Sequence, residues 1–242
     1  MEALELAQEQ GITELVLTSH YLKGSYDNDR ETISDTFETL KQDAAESGIE
    51  IKLHLGAEVF ITQDALIDIV KYQLQINETQ YVLVETDLNN FPINFNEILY
   101  NLVRSGYRPI LAHPERYGNI QRDWTLAEGL LYRNVYLQIN AGSLLGQYGS
   151  IIKETAWKLV ENGLVHFIGS DFHCHSTDYN YREAVDAIAE QIDSHMAKLL
   201  SETNPRKLLD NKPVEYIYMN FIEQQSETKS LMDKIKDFLW NR

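Results

Sequence analysis

The chain has one cysteine, Cys174, so no internal disulfide framework holds it together, and it fits a reducing cytoplasm. Its 5 prolines and 12 glycines are never clustered, which leaves no obvious interdomain linker in 242 residues. Basic residues are scarce: 21 Lys and Arg face 37 Asp and Glu, a formal net charge of -16. That balance argues against nucleic acid as a partner, because a phosphate backbone would be repelled. No apolar run approaches the ~20 residues that span a bilayer, so a membrane span is not expected. The opening MEALELAQEQG is acidic and amphipathic, unlike a signal peptide. There is no Gly-rich phosphate loop and no Ser-centred nucleophile elbow. Cys174 lacks the Arg that a thiol phosphatase needs on the same loop, the next one being Arg182.

What is present is alternation. Apolar runs at 14–18, 51–56, 81–84, 110–112, 135–139 and 165–169 read as strands. Helical patterns lie between them, at 1–10, 30–47, 63–72, 94–105, 124–133 and 151–161. One long helix follows at 182–200, with a short one from Asn204 to Leu209. The polar stretch 21–29 reads as a lid loop. A step of about 30 residues is the size of a βα unit, and such alternation predicts a parallel sheet with helices outside. In a βα barrel the strands' C-terminal ends gather the loops at one mouth. Six strands carry the pattern; a closed barrel needs at least one more, expected before Met1. After Asp210 the pattern loosens, and 230–240 has Leu231, Ile235, Phe238 and Leu239 on one helical face, expected to dock on the body.

The functional signal is a repeated grammar: an apolar strand that ends at once in His, Glu or Asp. PILAHPERYGN, 109–119, is its centre, with His113 and Arg116 just past a strand. His20, Glu58, Glu85, Asp171 and His173 occupy matching strand ends. One such residue is more often a hydrogen-bonded polar group; repetition at five strand ends points to a cation site. Mixed imidazole and carboxylate ligands suit Mn, Fe or Zn. Two or three such ions can clamp a phosphoryl group. Asp171 and His173 are two residues apart, so in extended backbone both point the same way. The Arg116 guanidinium can take phosphate oxygens bidentately. His54, His166, His175 and His195 read as structural or loop residues.

The pieces LTSHYLKG, LGAEVF, LVE, PILAHPERY, QINAGSLLG, FIGSDFH and NPRKLL occur in this order through residue 210. Together they resemble the bacterial metal-dependent protein-tyrosine phosphatases of the polymerase and histidinol phosphatase (PHP) superfamily, which accompany capsule and exopolysaccharide synthesis. The resemblance implies an α/β fold, a distorted (β/α)7 barrel of the PHP type, over 1–210, with 211–242 as a C-terminal extension. It implies a multinuclear, usually manganese, centre held by His20, Glu58, Glu85, His113, Asp171 and His173, with Arg116 gripping the phosphate. The implied substrate is the phosphotyrosine tail of a bacterial tyrosine kinase. Two departures stand out: the family's opening Asp-x-His-x-His strand is missing from this chain, and a second phosphate-binding Arg is not in place, Arg182 coming a few residues late. The alternatives are a small-molecule phosphatase of the histidinol-phosphate kind and a truncated, non-catalytic binding module.

Overall fold

The computed structural model describes residues 1–173 and 179–218. Cys174, His175 and the helix expected at 230–240 lie outside the described residues. In chain order the elements are α1 (Glu2–Glu9), β1 (Glu14–Leu22), β2 (Tyr26–Asp27), α2 (Arg30–Glu46), β3 (Lys52–Phe60), α3 (Ala65–Tyr72), β4 (Tyr81–Glu85), α4 (Phe95–Arg104), β5 (Arg108–Ala112), α5 (Gly118–Arg122), α6 (Leu126–Leu131), β6 (Tyr136–Asn140), α7 (Ala141–Leu145), α8 (Ser150–Glu161), β7 (Phe167–Gly169), α9 (Tyr181–Gln191), α10 (Ser194–Lys198) and α11 (Asn204–Leu209). A tight turn, Pro114–Arg116, separates β5 from α5, and a wide π turn, Leu199–Thr203, joins α10 to α11.

The strands form one curled, seven-stranded half-barrel in the order β2-β1-β3-β4-β5-β6-β7. Six run parallel, and β2 folds back antiparallel on the end of β1. Side chains alternate across each strand, and the two faces have different jobs. Val82, Val84, Leu111, Leu137, Ile139 and Ile168 face outward and join the helices in the main core. Tyr81, Leu83, Ile110, Ala112, Tyr136 and Phe167 face inward, where Leu208 and Val214 pack on them. The Tyr81 and Tyr136 hydroxyls donate to the carbonyls of Lys212 (2.7 Å) and Val214 (3.2 Å), so the segment after α11 seals the barrel floor. The inward positions above that floor carry the polar residues. Glu85 follows Tyr81 and Leu83 on the same parity, and Asn140 follows Tyr136.

Two expected features differ. Residues 21–29 are a pinned hairpin rather than a loose lid. Gly24 takes a left-handed turn (φ 80) and its N–H donates to Asp27 Oδ1 at 2.9 Å. Asn28 donates to the His20 carbonyl at 3.0 Å, and Lys23 reaches the buried Asp68 carboxylate of α3 at 3.6 Å. The helix expected over 182–200 breaks after Gln191. Asp193 is extended (φ -174) and its side chain accepts from Met196 N–H at 2.7 Å, starting α10 as an N-cap. The helical periodicity carries on across this break, which hid it.

The outward core sets the fold's stability. Leu137→Ala removes a fully buried side chain of β6. It is expected to cost about 2–5 kcal/mol, read as a lower urea midpoint with an unchanged slope.

Candidate active site

β1 and β3 lie in register, and His20 sits opposite Glu58. β3 and β4 are staggered so that Glu85 falls opposite Phe60, one step higher. His113 continues β5 with a left-handed backbone (φ 37, ψ 55), a conformation that a non-glycine residue adopts at a cost. These four side chains meet. Glu85 Oε1 lies 2.9 Å from His20 Nδ1, and Glu58 Oε1 lies 3.1 Å from His113 Nε2. The crossed contacts are longer, 3.8 Å from His20 to Glu58 and 3.6 Å from His113 to Glu85. One ligand atom each from His20, Glu58 and Glu85 falls within a 4.8 Å span.

Asp171 and His173 form the adjoining half. His20 Nε2 and His173 Nε2 are 3.3 Å apart. His173 Nδ1 lies 3.0 Å from the Asp171 carbonyl. Asp171 is also left-handed (φ 48), and its Oδ2 accepts from Asn140 Nδ2 at 2.6 Å and from Arg116 Nη1 at 3.1 Å. Arg116 therefore pairs with an acid of the site rather than with its neighbour Glu115. All seven residues picked from the sequence thus lie in one connected set. His20, Glu58, Glu85 and His113 form a compact knot, and Asp171, His173 and Arg116 sit beside it.

The electrostatics follow from crowding two carboxylates against two imidazoles. Burial would lower the His113 pKa, but its contacts with Glu58 and Glu85 outweigh it and raise the value to about 9. The Glu85 hydrogen bond also raises His20. Burial would raise Glu85, yet its contacts with His113 and His20 hold it down at about 2. The imidazoles neutralise the carboxylates by carrying protons, a task that a divalent cation performs equally well. That exchangeability, with the clustered N and O donors, is the fit of these residues to a metal. His113 Nδ1 is buried with no partner, so any proton there goes unaccepted.

Residues that the strand-end pattern passed over hold the rim in place. Asn140 ends β6 and orients Asp171; its own N–H donates to Glu115 Oε1 at 3.0 Å. Glu115 is fully buried, and burial raises its pKa. Tyr117 Oη accepts the Thr86 N–H at 3.2 Å, with its ring 5.6 Å from that of His113. Asn140 stands at a strand end but is not His, Glu or Asp, so the pattern left it out, and nothing in it marked Glu115 or Tyr117. His54, expected to be structural, lies 2.8 Å from both Glu14 Oε2 and Asn77 Nδ2. His166, also expected to be structural, is fully buried; its Nδ1 accepts the Leu137 N–H, and burial lowers its pKa to about 3.

A family model for capsular polysaccharide synthesis, CpsB/CapC, matches residues 1–210. CapC of Staphylococcus aureus is 35% identical over 72% of this chain and 68% of its own length. The tyrosine-protein phosphatase YwqE of Bacillus subtilis is 30% identical over 88% of this chain and 85% of its own. A solved structure, from work on YwqE and on CpsB of Streptococcus pneumoniae as metal-dependent tyrosine phosphatases, superposes with a TM-score of 0.83 at 29% identity. It covers 88% of this chain and 87% of that one.

Proposed function

Because the chain belongs to the CpsB/CapC capsular polysaccharide synthesis family, we propose that it is a metal-dependent tyrosine-protein phosphatase, a phosphoric monoester hydrolase. The observation that carries this reading is the single rim on which His20, Glu58, Glu85 and His113 meet next to Arg116. His20, Glu58, Glu85, His113, Asp171 and His173 are the residues that would hold divalent ions, manganese first and Fe or Zn next on ligand chemistry. When bound, such ions supply positive charge to phosphoryl oxygens and acidify water near neutral pH. The residues of the chain do the rest. Arg116 exchanges its Asp171 contact for phosphate oxygens and fixes the phosphoryl group. Asn140 keeps Asp171 oriented while that exchange happens. The tyrosyl leaving group, with a phenol pKa of ~10, needs less proton donation than an alkyl alcohol.

The substrate on this reading is the phosphotyrosine tail of a bacterial tyrosine kinase that controls capsule synthesis, met in the cytoplasm. The catalytic body is 1–210, and the first residues of the 211–242 extension plug its floor. The test compares a tyrosine-phosphorylated kinase-tail peptide with histidinol phosphate, each with added manganese and with chelator. Preference for the peptide that vanishes with chelator is expected. Preference for the alkyl ester, or turnover indifferent to chelator, would overturn the assignment.

A further inference from the structure

The phosphate-binding Arg116 does not stand alone. Its guanidinium lies over the ring of Tyr148, 4.9 Å from the centroid. Tyr148 belongs to the turn between α7 and α8 and is held there by local geometry. Gly146 and Gly149 on either side both have left-handed backbones, φ 88 and 98, which fold the turn back on itself. It folds onto the start of α7, so closely that a Cβ at Gly142 would meet Tyr148 Cε2 at 3.3 Å and collide with Gln147. α7 starts immediately after Asn140, at the C-terminal end of β6. The turn thus brings an aromatic ring to the lip of the site.

Tyr148 remains 39% exposed, although one face meets Arg116. Tyr26, Tyr100 and Tyr132 are also exposed, but among the described residues Tyr148 is the ring that lies against Arg116. We propose that Tyr148 is a specificity-determining residue: it aligns Arg116 and offers its exposed surface to the aromatic ring of the phosphorylated side chain. The inference rests on the phosphatase reading above and adds the element that selects an aryl ester. A phosphoryl group gripped by Arg116 is one ester oxygen away from the ring that carries it. That ring therefore has to lie beside whatever flanks Arg116, and Tyr148 does. Offset or edge-on aromatic pairs contribute roughly 0.5–1.5 kcal/mol beyond area burial, about a threefold to tenfold preference. A phosphoserine side chain has no ring to collect it.

The experiment measures kcat and KM for paired phosphotyrosine and phosphoserine peptides of one sequence, using the full chain loaded with manganese. Wild type, Tyr148→Ala, Tyr148→Phe and Tyr148→Trp are compared. The ratio of the two kcat/KM values is expected to fall about threefold to tenfold in Tyr148→Ala, mainly through KM for the phosphotyrosine peptide, and to return in the Phe and Trp variants. Inhibition by inorganic phosphate reports the grip of Arg116 separately, since phosphate has no ring. An unchanged ratio in Tyr148→Ala would overturn the inference. So would a loss of phosphate inhibition as large as the loss of peptide binding, which would make Tyr148 only a prop for Arg116. A wild-type chain inactive on phosphotyrosine would overturn the phosphatase reading itself, and this inference with it.

Discussion

Glu58→Gln is expected to lower kcat/KM on a phosphotyrosine peptide at least a hundredfold, which is about 2.7 kcal/mol of barrier. Gln matches the shape of Glu, and Glu58 is buried near the C-terminal end of β3, so the sheet keeps its packing. What changes is charge. Glu58 Oε1 faces His113 Nε2 at 3.1 Å, and its other oxygen lies 3.8 Å from His20. A neutral amide there removes one of the two negative charges at the centre of the knot. It also turns a donor towards the imidazole nitrogens. Bound metal per chain, measured by elemental analysis, is expected to fall together with activity, while circular dichroism stays as in wild type. Normal metal content with normal turnover in Glu58→Gln would separate the cluster from the chemistry.

Metal uptake by the empty protein is expected to tighten steeply with pH. His113 stays protonated up to about pH 9, and a cation must displace that proton to reach the same nitrogen. Below that pH, each displaced proton makes affinity rise about tenfold per pH unit. Between pH 6.5 and 8.5 the gain is therefore about a hundredfold for one proton, and more if the raised His20 also gives one up. Stability without metal should move in the opposite direction. A histidine raised above 6.5 by folding lends stability that is complete below pH 6.5 and is lost as pH climbs through about 9. At the acid end, the depressed Glu85 lends stability that is present above its ordinary 4.5 and lost as pH falls towards 2. Calorimetry of manganese binding in buffers of different ionisation enthalpy counts the protons, and thermal melts with and without metal give the two opposed trends. Affinity flat across this range would mean that the imidazoles take no part in binding.

Much of the site was legible because a barrel places its chemistry by a simple rule. A strand buried on both faces must be apolar, so a polar residue at its end stands out. Glu58 and Glu85 were visible on that ground, and the order of the strands then put them side by side. Asn140 followed the same rule, but its amide looks inert until Asp171, 31 residues away, is seen accepting from it. Glu115 was hidden because it serves the interior and touches no reacting group. The break at Asp193 was hidden for another reason: α10 continues the apolar spacing of α9, and only the capping bond to Met196 marks the new start. The hairpin at 21–29 looked polar enough for a loop. Its order comes from Asn28 and Lys23 reaching other elements, contacts that local sequence does not encode.

His113 and Asp171 both sit in left-handed backbone, where a non-glycine residue gives up about 1–3 kcal/mol. The fold carries that deficit at two residues of the clustered polar rim, and the buried core makes it good. A population of variants selected only for heat resistance would therefore find relief at 113 and 171, where glycine or asparagine fits the backbone better. Sturdier proteins from such a screen would be expected to lose this rim of polar side chains before they lost their barrel.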